Sequence, residues 1–203
     1  MKKIILFLML LIPFKVKCLS ASSYIVMDMD SGRVMEGTNV DKKSLIASTT
    51  KILTAITAIE CGNLEDIVKV NEDILSSYGS GIYIQVGEEL TLDDLLYGLM
   101  LRSGNDAALA IASHVGDDVE NFVFMMNETA KRIGMNNSSF VNPSGLEEND
   151  GSANISTVYD MALLTRYAMN NEDYRRIVGT KEIIVKSSYK TYRWINKNKL
   201  LSN

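Results

Sequence analysis

Ala47-Ser48-Thr49-Thr50-Lys51-Ile52-Leu53-Thr54 opens a run whose apolar residues Ile52, Ala55, Ile56 and Ile59 recur at helical spacing, and Gly62 fits as its stop. That apolar face predicts a helix buried in its domain. Ser48 and Lys51 stand three apart, nearly one helical turn, so both side chains project from one face. Ser48 lies where the unpaired N–H groups and the positive dipole end of the helix gather. This suits a nucleophile whose reaction builds negative charge. Lys51 can remove the serine proton if it is held neutral. By itself the pair reads better as a capping serine followed by a solvated lysine, so the surrounding chain has to decide.

Downstream, Val68 to Gly87 is mixed, with a loop at Tyr78-Gly79-Ser80-Gly81 and a short extended piece at Ile82-Tyr83-Ile84. Thr91 and Asp94 resemble a capping box, and Leu92, Leu95, Leu96, Leu99 and Met100 form a helical stripe. That helix is expected to break at Arg102-Ser103-Gly104-Asn105, with an alanine-rich helix from Asp106 to His114 and another over Val119–Ile133, ended by Gly134. Met135 to Ser156 is a long polar loop, of a length that in a compact domain is often functional. Thr157 and Asp160 cap a helix carrying Met161, Leu164 and Ala168. Glu182–Lys186 and Thr191–Ile195 read as two strands.

Upstream, Ser23 to Met29, carrying Tyr24, Ile25, Val26 and Met27, and Arg33 to Gly37 flank an Asp30-Ser31-Gly32 turn and predict an N-terminal hairpin. Strands, then helices, then strands predict an α+β fold with an antiparallel sheet built from both chain ends plus a helical cluster.

The first residues have another character. Lys2-Lys3, an apolar run from Ile4 to Phe14 and the small residues Ser20-Ala21-Ser22-Ser23 follow the order of a secretory signal. The run is too short for an ordinary membrane span, which needs roughly 20 residues. Residues 1–21 are therefore expected to be a signal peptide and 22–203 the domain. Cleavage near Ala21 removes Lys2, Lys3, Lys15 and Lys17 and no acid, taking the net charge from −4 to −8. That balance argues against a nucleic-acid partner. It also leaves Cys61 as the only cysteine, so no internal disulfide is expected.

Ser103-Gly104-Asn105 is the second constellation. In a break between helices its side chains can face a cleft. A hydroxyl there can relay a proton between a lysine and a leaving group, and an amide can bind a substrate carbonyl and steady the lysine. Ser, Gly and Asn are also ordinary turn residues. One histidine, His114, and one mature cysteine make no metal site and no cofactor expected. A Ser-His-Asp triad would have to use His114, which reads as a plain helix-end residue.

Serine acyl enzymes pair Ser-x-x-Lys with Ser-x-Asn and a later Lys-Thr-Gly. On Ala47-Ser48-Thr49-Thr50-Lys51 and Leu101-Arg102-Ser103-Gly104-Asn105-Asp106-Ala107-Ala108 together, the chain resembles the D-alanyl-D-alanine carboxypeptidases, the low-molecular-weight penicillin-binding proteins. Asn142-Pro143-Ser144-Gly145-Leu146, Ser156-Thr157 with Asp160-Met161-Ala162, and Asn196-x-Asn198-Lys199-Leu200-Leu201 support it. The resemblance implies a β-lactamase/transpeptidase-like fold, acting in the cell envelope outside the cytoplasmic membrane. It implies Ser48 as acyl-ester nucleophile, Lys51 as general base, Ser103 as proton relay and Asn105 as substrate-binding residue. The implied partners are a peptidoglycan stem peptide ending in D-Ala-D-Ala, and β-lactams as inhibitors. It also allows membrane-surface association through a C-terminal segment.

One departure stands out. Lys190-Thr191-Tyr192 fails as the third motif, because glycine is needed where the strand passes close to substrate. The family places that motif after the Asn-x-Asn-x-Leu-Leu segment. The sequence is therefore expected to stop roughly fifteen to twenty residues before it, short of the C-terminal sheet strands. Two further readings remain. A class A-like β-lactamase would need a deacylating glutamate, and no Glu-x-x-Asn occurs in the long loop, where Asp150 and Gly151 stand at that offset from Glu147 and Glu148. The other is a truncated, inactive or non-catalytic wall-binding remnant.

Overall fold

Residues 20–202 are described by a computed structural model, and helix α1 (Lys51–Cys61) runs through their centre. Leu53, Ala55, Ile56 and Ala58 are fully buried because α1 touches the five other helices among the described residues. These are α2 (Leu92–Arg102), α3 (Asn105–Val115), α4 (Val119–Ile133), α5 (Val158–Ala168) and α6 (Glu172–Gly179). Leu92, Leu95, Leu96 and Leu101 of α2, Ile111 of α3, Phe122 and Met126 of α4, Leu164 of α5 and Ile177 of α6 complete one core. Burial of a side chain of this size contributes about 1.5–3 kcal/mol each, so α1 is held from every side.

The ends of the helices follow local chemistry. Thr91 caps α2 with the full capping box, its side chain accepting from Asp94 N and Asp94 answering to the Thr91 N–H. Asp118 caps α4 and Thr157 caps α5. Gly134 ends α4 in the left-handed conformation (φ 94°). Ser103 ends α2 left-handed as well (φ 61°), which turns the chain sharply into α3. The α3 helix starts at Asn105, one residue before the expected position.

Among the described residues the strands pair in twos. Strands β1 (Tyr24–Met27) and β2 (Val34–Thr38) form the expected hairpin, with Ile25 opposite Gly37, and β1 lies on α5. Strands β3 (Ser44–Leu45) and β6 (Ile155–Ser156) pair briefly, as do β4 (Ile67–Lys69) and β5 (Glu89–Thr91). Strands β7 (Glu182–Lys186) and β8 (Thr191–Ile195) form the expected second hairpin.

The α+β class holds, but one part of the expectation does not. Among the described residues the two end hairpins do not join into one sheet. Among these residues β8 pairs with β7 alone, and its Tyr192 and Trp194 face is buried against α2. The helix α6 and the β4–β5 pair were not expected. The signal-peptide expectation concerns residues of which 1–19 lie outside those described.

Candidate active site

Ser48 sits in a 3-10 turn, Ala47–Thr50, that leads directly into α1, so the predicted helix start is tighter than an α-helix. Ser48 is exposed, whereas Lys51 is 2% exposed. The Lys51 Nζ atom is 3.4 Å from Ser48 Oγ, 2.7 Å from Asn105 Oδ1 and 2.6 Å from the Ser144 carbonyl. Three segments far apart in sequence therefore converge on one amine.

That geometry has a chemical consequence. A neutral lysine amine has two N–H groups and one lone pair. The oxygens of Asn105 and Ser144 accept the two N–H groups, which leaves the lone pair for the Ser48 hydroxyl proton. Burial is the largest influence on the amine. With the positive charge of Lys197, it brings the Lys51 pKa from 10.5 down to about 8, against the opposing pull of Asp106.

Asn105 is itself fixed. Its Nδ2 donates to the Tyr78 carbonyl at 2.6 Å, so its Oδ1 must face Lys51. Ser103 lies in the break two residues earlier, half-buried, and among the described residues its hydroxyl makes no hydrogen bond. Ser48, Lys51 and Asn105 are thus joined by contacts, while Ser103 stands two residues before Asn105 in the chain.

The long loop, singled out in the sequence for its length and its resemblance but given no residue role, supplies the rest of the lysine cage. The Pro143 carbonyl accepts from Thr54 Oγ1 at 2.7 Å. Asn142 Oδ1 accepts from Gly145 N at 2.7 Å, and Asn154 Oδ1 accepts from Val141 N at 2.7 Å. The Asn154 amide donates to Thr50 Oγ1 at 3.0 Å and to the Asn142 carbonyl at 2.9 Å. Gly145 (φ 84°) runs directly under Ala47: a Cβ there would stand 1.9 Å from the Ala47 carbonyl oxygen. Sequence reasoning gave Ser144, Gly145 and Asn154 no role. The Ser144 contact is made by main chain, which no residue letter announces. The polar run of Asn142 and Asn154 in a loop was the one available signal.

His114 ends α3 with Nε2 3.4 Å from Asp66 Oδ2 and takes no part in this cluster. The Glu148 carboxylate accepts from Asn142 Nδ2 at 2.6 Å, and the Glu147 carbonyl accepts from Tyr78 Oη at 2.7 Å.

The family model described as D-alanyl-D-alanine carboxypeptidase matches residues 14–203. The chain belongs to that family. The D-alanyl-D-alanine carboxypeptidase DacF of Bacillus subtilis is 33% identical over 187 residues, covering 89% of this chain and 47% of its own length. The D-alanyl-D-alanine carboxypeptidase DacC of Escherichia coli is 33% identical over 194 residues, covering 89% of this chain and 46% of its own. The chain thus spans about half the length of these curated relatives.

Among solved structures, a D-alanyl-D-alanine carboxypeptidase from Mycobacterium tuberculosis superposes with a TM-score of 0.85 at 30% identity, over 90% of this chain and 69% of that one. A mutant of the Streptomyces K15 DD-transpeptidase gives 0.84 at 31% identity, over 91% and 76%. The α+β fold of this family member is that of the penicillin-binding DD-peptidases.

Proposed function

We propose that this protein is a serine D-Ala-D-Ala carboxypeptidase. The observation that carries the reading is the Lys51 amine, buried, with two acceptors on its N–H groups and Ser48 Oγ 3.4 Å away. In this reading Ser48 Oγ attacks the carbonyl between the two terminal D-alanines of a peptidoglycan stem peptide, and its proton passes to Lys51. The helix N-terminus favours the negative charge that develops beside Ser48. As the C–N bond breaks, the proton moves from Lys51 by way of Ser103 to the departing D-alanine amine. Asn105 holds Lys51 and the substrate peptide. Water then cleaves the Ser48 ester, giving its proton back to Lys51 and so to Ser48. A β-lactam would acylate the same oxygen. The basic, apolar, small-residue order of residues 1–21 supports export to the cell envelope, where such a substrate lies.

Fluorescent penicillin should label the natively expressed protein, and Ser48→Ala should abolish the label. Lys51→Ala should slow acylation by about a hundred- to ten-thousandfold. Because Lys51 acts only when neutral, the acylation rate should rise with pH through about 8. Labelling that survives in Ser48→Ala would place the nucleophile elsewhere.

A further inference from the structure

The segment Ile82–Ile84 lies in no strand, and Tyr83 stands in the left-handed region at φ 61°, unusual for a bulky residue. Its backbone N–H groups are met by one side chain, Asp106. The carboxylate accepts from Ile82 N at 3.0 and 3.1 Å, from Tyr83 N at 2.6 Å, from Ile84 N at 3.3 Å and from Ala107 N at 2.9 Å. It is 5% exposed, and among the described residues no lysine or arginine pairs with it. Two glycines make room for it. A Cβ at Gly81 would come within 3.1 Å of Asp106 Oδ2, and one at Gly104 within 3.0 Å of Oδ1.

The same loop holds the residue that precedes Asp106. The Ser80 carbonyl accepts from Asn105 N at 2.8 Å, and the Tyr78 carbonyl accepts from Asn105 Nδ2 at 2.6 Å. We infer that Asp106 is a positioning residue: by taking the place of a partner strand for Ile82–Ile84 it fixes the 78–84 loop, and through that loop the rotation of the Asn105 amide that orients Lys51. This rests on the function proposed above. The negative charge has a second effect, since Asp106 opposes the loss of the Lys51 proton that burial and Lys197 promote.

Asp106→Asn tests both effects with little change in volume. The variant sets an NH2 against backbone N–H donors, so at least one bond must go. Amide exchange at Ile82, Tyr83 and Ile84 should quicken by about tenfold or more. The NMR titration midpoint of Lys51 should move to lower pH, because a negative charge has left its surroundings. Penicillin acylation should fall by about tenfold, yet by less than about twofold when the change is added to Asn105→Ala, because the two act in series. Unchanged exchange, an unmoved or raised Lys51 midpoint, or costs that simply multiply would overturn the inference.

If Asp106→Asn does not fold, Gly81→Ala carries the test by pressing a methyl group on the carboxylate. It should quicken the same exchange and slow acylation, and parent behaviour in both would overturn the inference. If the parent takes no penicillin, the proposed function fails, and the exchange and titration measurements decide the role of Asp106 alone.

Discussion

Burial disfavours the charged form of Lys51, and the sign of that effect is open to measurement. In the folded protein the amine titrates at about 8, against 10.5 for the free side chain. Below pH 8 both states hold the proton, and the folded state bears the full cost of burying it. As pH rises from 8 to 10.5 the folded state is neutral while the unfolded chain still binds a proton, so the cost is relieved. The protein should therefore gain about 3 kcal/mol relative to Lys51→Met across that window. The Asn105 and Ser144 oxygens lose their donor in the variant at every pH, so that loss cancels from the difference. Urea unfolding of both forms at steps of pH reads it, and a flat difference would contradict the low pKa. At this scale the sequence was informative where side chains act. Ser48, Lys51 and Asn105 were singled out through the resemblance that their two motifs carry together, and Lys51 Nζ lies within 3.4 Å of both Ser48 Oγ and Asn105 Oδ1. The Ser144 carbonyl was not legible, because any residue has one.

Elements were legible in proportion to how local their causes are. Helix α4 matched its expected range because Phe122, Met126 and Ala130 give the period and Asp118 and Gly134 the ends. Helix α6 was missed because only Tyr174 and Ile177 are buried in its eight residues. What holds it is distant: Arg176 donates to Asp93 at 2.8 Å and to Tyr97 Oη at 2.7 Å. Strands β4 and β5 were missed because three residues with one buried position each carry no alternation. The 142–145 loop shows the same limit at the site. Its role depends on a contact with Ala47, itself left-handed at φ 46°. Gly145→Ala combines a strained φ with a Cβ inside the Ala47 carbonyl, and should cost about 2–5 kcal/mol. Since Ala47 precedes Ser48, acylation should fall with it. Denaturant midpoints and penicillin labelling check this, and parent stability in the variant would mean that the loop can shift away from the Ser48 turn freely.

Across the whole molecule the β7–β8 hairpin is the piece whose attachment sequence order misjudged, and its contacts make it part of the site's support. Trp194 is 4% exposed against Gly98 of α2, and Tyr192 stacks beside it with centroids 5.0 Å apart. The fully buried Glu88 carboxylate accepts from Tyr192 Oη at 2.7 Å, from Ser187 Oγ at 2.5 Å and from Gln85 N at 2.9 Å. Burial and this carboxylate push the Tyr192 hydroxyl pKa far up, so it stays a donor throughout the working range. From the outer side Lys190 Nζ donates to the Tyr83 carbonyl at 2.7 Å, on the loop that Asp106 holds from within. A hairpin tied in this way should not melt separately from the helices. Trp194 is the only tryptophan, so its fluorescence reports the hairpin while far-UV circular dichroism reports the helices. The two signals should share one midpoint in urea, as a single cooperative unit requires. Tyr192→Phe leaves Glu88 short of a donor in a site closed to water, and should lower that shared stability by about 1–3 kcal/mol. A fluorescence transition that precedes the helical one would show the hairpin to be a separable arm, and would remove it from the support of the Tyr83 loop.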